Sequence, residues 1–180
     1  MDRKNDDIYS INKKEVMEFY NLKGISGSIK FQSKMLRTWV LHKFAYSTPS
    51  SNLAVKMQRL RGVKIGHNCH ISPYVLIDLV YPDLITIGDN VTLGSNSMIF
   101  AHVNPTANLL LKRTQYPRKI AHVKIKSGAV INPGAIITAG VTVGENSIIS
   151  IGSTVFEDVP DNCVVLGNPA RVVKRIELDE

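Results

Sequence analysis

Few side chains in this sequence could move a proton or hold a metal. Histidine, the usual proton acceptor near neutral pH, occurs at His42, His67, His70, His102 and His122. His67 and His70 flank Cys69 in the run Gly-His-Asn-Cys-His, which raises a metal site, although that spacing is a weak ligand signature. Cys69 and Cys163 are the only cysteines and cannot build a disulfide framework. No Gly-x-Ser-x-Gly run presents a serine on a strained turn, so a covalent acyl-enzyme is disfavoured. Between residues 19 and 144 the only acids are Asp78, Asp83 and Asp89. Asp83 follows Pro82 and reads as a turn residue bonding its own backbone.

These side chains must be positioned by something, and an internal repeat supplies it. From Ile125 an aliphatic residue recurs every six positions, at Ile125, Ile131, Ile137, Val143, Ile149 and Val155. Four places after each comes a small residue: Ala129, Ala135, Val141, Ser147, Ser153 and Val159. Two shorter arrays have the same form: Ile65, Ile71 and Ile77, then Ile87, Leu93 and Ile99. Gly66, Gly88, Gly94 and Gly144 directly follow an aliphatic member, and Asn or Gly commonly fills the third place. A helix would need a period of 3.6 and a half-buried strand a period of 2. A period of six fits a short strand plus a tight corner. Three such faces close a triangular coil of about eighteen residues, so the chain is predicted to be mainly β, a parallel β-helix. An ordinary β-sandwich with accidental spacing would not give six consecutive matches and two further arrays. Cys69 and Cys163 fall at small corner places, where sulfur is an apolar filler, and the histidines beside Cys69 fall on turns. Asp89 belongs to a Gly-Asp-Asn corner.

The units Ile-Gly-Asp-Asn-Val-Thr (87–92) and Val-Gly-Glu-Asn-Ser-Ile (143–148), with the exit Gly-Asn-Pro-Ala-Arg (167–171), resemble the hexapeptide-repeat acyltransferases. Within them the chain most resembles the O-acetyltransferases of sugars and cell-surface polysaccharides, of the maltose, galactoside and colanic-acid type. The resemblance covers roughly residues 63–175. It implies a left-handed coil, against the usual crossover preference. It further implies a homotrimer with sites between subunits, acetyl-CoA as co-substrate without a metal, and direct transfer to a hydroxyl. His102 matches the family's catalytic histidine, the general base, with His122 on the far lip of the loop as its rival. Asp78 lies near the place where relatives have a polar side chain that contacts or orients the acceptor hydroxyl. Gly134, Ala139, Gly140, Gly152 and Ser153 match a donor groove rich in small residues, and Arg171 and Lys174 match phosphate contacts of the tail. The chain departs from the family at Ala129-Val130-Ile131-Asn132, where many relatives have Trp-Ile-Gly, which bears on the shape of the cleft. The alternatives are N-acetylation of an amino group on a nucleotide-linked sugar, or a carbonic-anhydrase-like or scaffolding β-helix.

Residues 1–62 lie outside the repeat, 63–166 form the coil, and 167–180 a tail leaving as strand or helix. Two excursions interrupt the coil, 78–86 and the protruding loop 103–122, which contains Pro105 and Pro117. Residues 29–45 read as a basic amphipathic helix, and 53–61 as a second one after the break Thr48-Pro49-Ser50-Ser51-Asn52. The expectation is a helical cap over the open end of the coil that buries Trp39; the alternative is a membrane-surface or acceptor-docking element. The net charge of +7 is uneven: residues 19–77 carry nine bases and no acid, whereas 145–180 carry three bases and seven acids. Such a block suggests an anionic partner. In the loop, Lys112, Arg113, Arg118 and Lys119 could attract phosphates of coenzyme A. Nucleic acid is disfavoured because aromatic interleaving and any recognition motif are missing. An anionic glycan or a membrane face is left as the partner for residues 19–64. Neither an apolar signal core nor a bilayer-length run is present, so the expected location is cytoplasmic, with the inner membrane face as the peripheral alternative.

Overall fold

The computed structural model describes residues 7–103 and 107–177; Pro105 lies outside the described residues. Its helices are α1 (Ile8–Phe19), α2 (Gly24–Ser47), α3 (Ser51–Arg61) and α4 (Leu109–Thr114). Asp7 accepts the N–H of Ser10 to start α1, and Ser50 does the same for Leu53 at α3. Gly62, at φ 111°, ends α3 and turns the chain into the first coil.

Short parallel strands then form three faces. The first holds Lys64–Ile65, Ile85–Ile87, Val123–Ile125 and Thr142–Val143. The second holds His70–Ile71, Thr92–Leu93, Val130–Ile131, Ile148–Ile149 and Cys163–Gly167, and the third Leu76–Ile77, Met98–Ile99, Ile136–Ile137 and Thr154–Val155. The register stacks Ile65, Ile87, Ile125 and Val143 on one face. It stacks Ile71, Leu93, Ile131, Ile149 and Val165 on the next. Ile77, Ile99, Ile137 and Val155 stack on the third. The three arrays of the sequence are therefore one lattice. Apart from half-buried Ile65, every member is at most 2% exposed. Truncating one to alanine should cost about 2–5 kcal/mol, because close-packed coils cannot collapse around the gap.

The corners explain the remaining pattern. A Cβ on Gly88 would meet the backbone nitrogen of Ser127 at 2.7 Å, so that glycine is required by the coil beneath rather than by its own φ. The third corner place is left-handed, for example Asn68 at φ 51° and Asn90 at φ 57°. Asparagine tolerates that conformation, and Asn68 Nδ2 donates to Asn90 Oδ1 at 2.8 Å across coils.

Both excursions leave the coil at one kind of corner, between the third face and the first face of the next coil. The first runs from Asp78 through a 3-10 turn at Pro82–Leu84. The second opens with His102–Val103, pairs antiparallel with Lys119–Ile120 and carries α4. The tail Ala170–Arg175 returns as a strand antiparallel to Cys163–Gly167, so the last edge of the second face is paired.

The helices differ from expectation. α1 was not foreseen, and α2 begins five residues earlier than the predicted helix start at Ile29. α3 covers the first coil, placing Ala54 and Val55 in the core cluster. α2 lies on α3 and buries Thr38, His42 and Ala45, but Trp39 remains 55% exposed. The expectation that the cap buries Trp39 is therefore incorrect: α3 already covers the coil, and among the described residues the other side of α2 stays exposed.

Candidate active site

Asp78 is the residue after Ile77 on the third face, and its N–H continues the ladder to the carbonyl of Ile99. Its carboxylate turns inward and the residue is 1% exposed. Oδ1 accepts the N–H groups of Val80 (2.8 Å) and Tyr81 (2.9 Å). Oδ2 accepts the N–H of Ala101 (2.9 Å) and faces His102 Nδ1 at 2.5 Å. Burial alone would raise this carboxyl's pKa; the bonds from His102 and the Tyr81 and Val80 amides outweigh it and hold Asp78 below its ordinary value. An ionised Asp78 accepts Nδ1–H, which fixes the tautomer and leaves the lone pair on Nε2. Contact between Asp78 and an acceptor hydroxyl does not fit this burial. Both carboxylate oxygens are spent on backbone and histidine, so Asp78 acts on His102.

Three side chains unanticipated from the sequence complete the setting. Tyr81, fully buried, stands edge-on to His102 with ring centroids 5.1 Å apart. Its hydroxyl receives Arg118 Nη1 at 3.2 Å, and Phe19 and Tyr20 at the end of α1 pack against its ring. Arg118 and Lys112 of the loop reach back to α1: Lys112 Nζ meets Glu15 at 2.8 Å, Arg118 Nε meets Glu15 at 3.1 Å, and both reach Asn12 Oδ1. These two bases are thus committed to α1, which corrects the expectation that they attract phosphates. Arg61, at the end of α3, is buried and donates through Nη2 to the carbonyls of Asp78 (2.6 Å) and Ile77 (3.2 Å). Its Nη1 lies 3.0 Å from His42 Nδ1. Burial pushes Arg61 down to about 10, partly offset by the Asp78 charge; burial and then the Arg61 charge push His42 down to about 4. Glu15, Arg61 and Tyr81 belong to no periodic array, so the sequence gives no spacing signal for them.

Beside His102 runs a groove of about 280 Å³ lined by Phe100, Val103, Thr138 and Ala139. Gly140 follows Ala139 at that corner. Arg171 approaches the same edge from the tail strand, with Nη2 3.7 Å from Glu157 of the corner after Thr154–Val155. Gly134 and Gly152 instead stack at the other end of the third face, where Gly152 N–H bonds the carbonyl of Pro133. Ser153 is buried and its Oγ accepts the N–H of Gly167, so it holds the turn into the tail rather than lining a groove. Lys174 is exposed on the outer strand. His122 is exposed just before the strand Val123–Ile125. His67 is exposed at a corner, while His70 is exposed in the strand His70–Ile71 and not on a turn as expected; Cys163 is buried, and among the described residues no three His, Cys, Asp or Glu side chains converge as a metal site.

No protein-family model matches the chain. Over 142 residues it is 33% identical to a putative acetyltransferase of Staphylococcus aureus (strain MSSA476), covering 78% of this chain and 82% of that protein. Over 119 residues it is 38% identical to the galactoside O-acetyltransferase of Escherichia coli K12, covering 62% of this chain and 56% of that enzyme's length. A solved galactoside acetyltransferase in complex with coenzyme A shares the fold at a TM-score of 0.61 and 26% identity, covering 82% of each chain. The chain belongs to the hexapeptide-repeat acetyltransferases, which are built on a left-handed parallel β-helix. Within that class it is similar to the galactoside and maltose O-acetyltransferases.

Proposed function

We propose that the protein transfers acetyl from acetyl-CoA to a hydroxyl of a sugar or cell-surface glycan, with His102 as general base. The observation that carries this is the 2.5 Å contact of His102 Nδ1 with a buried, ionised Asp78, at the mouth of a groove lined by small and apolar residues. Nε2 takes the hydroxyl proton as the acceptor oxygen attacks the acetyl carbonyl carbon. The carbon–sulfur bond then breaks, and the imidazolium returns its proton to the departing thiolate. Asp78 stays ionised throughout and keeps the ring in one tautomer. Asp78 is in this reading a positioning residue.

The groove beside Ala139 and Gly140 suits a thin pantetheine arm, because a larger side chain there would fill it. Arg171, already drawn to that edge by Glu157, is the cation best placed for a CoA phosphate; Lys174, farther out on the same strand, is the second. Gly134 and Gly152, across the third face, are proposed to border the donor site of a neighbouring copy in a homotrimer, with Ser153 supporting them from beneath. On the supply of acetyl-CoA, the setting is the cytoplasm.

The test is His102→Ala in a CoA-release assay with matched hydroxyl and amino acceptors. Turnover should fall by about 10²–10⁴-fold while CoA binding persists in calorimetry. Undiminished turnover would reject His102 as base, and loss in His122→Ala alone would transfer the role to His122. Preference for the amino acceptor would turn the assignment to N-acetylation.

A further inference from the structure

The outer side of α2 exposes large apolar side chains. Ile25, Ile29, Leu36 and Trp39 follow one another at spacings of four, seven and three, which places them on one helical face. They are 84%, 63%, 62% and 55% exposed, along about 21 Å of helix. Exposed Gln32 stands among them on that face, and an apolar surface of this extent marks one that something covers. Basic side chains accompany it: Lys30 and Arg37 lie on one flank, Arg37 donating to the Leu60 carbonyl of α3 at 2.6 Å, and Lys43, in line with the row, stands over the Trp39 ring at 5.5 Å. No acid occurs between residues 19 and 77, so nothing on α2 or α3 neutralises these charges. On the neighbouring α1, Glu15 is taken by Lys112 and Arg118, and Glu18 by Lys14. Among the described residues no helix is long and apolar enough to cross a membrane, so α2 could only lie along one.

We propose that this face of α2 docks on an anionic lipid surface, with Ile25, Ile29, Leu36 and Trp39 entering the acyl boundary and Lys30 and Lys43 meeting headgroup phosphates. An apolar stripe with a tryptophan, accompanied by lysine and arginine, is the chemistry of a helix lying in the membrane interface. A second copy presenting the same face would bring basic rows together, which favours lipid over self-association through this face. This inference does not depend on the acetyl-transfer reading, because its test reads lipid binding.

Trp39 is the only tryptophan, so its fluorescence reports this face directly. The full chain is mixed with vesicles of phosphatidylglycerol and phosphatidylcholine, or of phosphatidylcholine alone. With the anionic vesicles the protein should sediment and Trp39 emission should shift to the blue, and added salt should reverse both. Ile29→Ser with Leu36→Ser, and separately Lys30→Glu with Lys43→Glu, should each lower the bound fraction about tenfold or more. These side chains are exposed, so unfolding midpoints should stay the same and serve as the folding control. Failure to bind the anionic vesicles overturns the proposal, as does equal binding to neutral ones. It is also overturned if lipid-free Trp39 already emits as a buried indole and Leu36→Ser dissociates the assembly in light scattering; the face would then be a contact between copies.

Discussion

Two histidines stand beside charged groups of opposite sign. His102 faces the Asp78 carboxylate at 2.5 Å, on the edge of a groove. His42 faces the Arg61 guanidinium at 3.0 Å, in the packing between α2 and α3. The carboxylate stands at the groove-lining ring, whereas burial, and then the guanidinium, lower the pKa of His42 to about 4. Arg61 connects the two regions, since it touches His42 with one nitrogen and the Asp78 carbonyl with another. Histidine content therefore says little by itself: what surrounds the ring, burial first and the neighbouring charge second, separates the two settings.

The sharpest way to break this comparison is Asp78→Asn. All the polar neighbours of the carboxylate are N–H donors, so the amide NH₂ must face a donor in either orientation. We expect kcat to fall on the order of a hundredfold and stability to drop by about 1–3 kcal/mol, measured by turnover and by denaturant unfolding. Turnover within a few-fold of wild type would remove Asp78 from the account. Arg61→Gln should act mainly on stability, lowering it by about 2–4 kcal/mol because the carbonyls of Ile77 and Asp78 lose a buried donor. Its loss of kcat should be smaller than that of Asp78→Asn; an equal loss would make Arg61 part of the chemistry.

The smallest effect concerns acid stability. His42 has its folded pKa lowered from 6.5 to about 4, so the unfolded chain binds this proton first as pH falls. Its contribution is fully present above about 6.5 and is lost as pH falls toward 4. Asp78 is also lowered, from 3.8, and its contribution is lost only as pH falls through that lower range. His42→Gln keeps an acceptor for Arg61 and should flatten the decline of Tm between pH 6.5 and 4 while leaving turnover unchanged. A decline as steep as in wild type would assign it to other groups.

The coil was legible because the same requirement recurs at each rung: one aliphatic residue inward, a small residue at the corner, and Asn or Gly where φ is positive. Each unit confirms its neighbours, so the pairing of Ile131 with Ile149 follows from spacing, whereas the pairings of Ile71 with Leu93 and of Leu93 with Ile131 span the excursions and do not. His102 and Asp78 were legible as polar residues at ends of units, but their contact was not. It joins residues twenty-four apart and exists only because both excursions leave at the same corner. Ser153 shows the reverse: its place in the repeat marked a small corner residue, and although the family resemblance put it in a groove, its hydroxyl is buried under the tail. The helices were least legible. A helical pattern shows that α2 has an apolar side, but not that α3 would take the coil end and leave Trp39 outside.

The shared corner has a consequence for change over time. The ladder from the Asp78 N–H to the Ile99 carbonyl, and from the Gly88 N–H to the Ile125 carbonyl, passes directly between coils and ignores the chain that wanders between them. Length added at that corner leaves the rungs undisturbed, whereas a residue added within a face would throw the inward row out of phase. The molecule thus has a socket at one edge, where new segments can be fitted beside the histidine without renegotiating the core. The chain at that corner can accordingly diverge by insertion and deletion, while the stack behind it stays as it is.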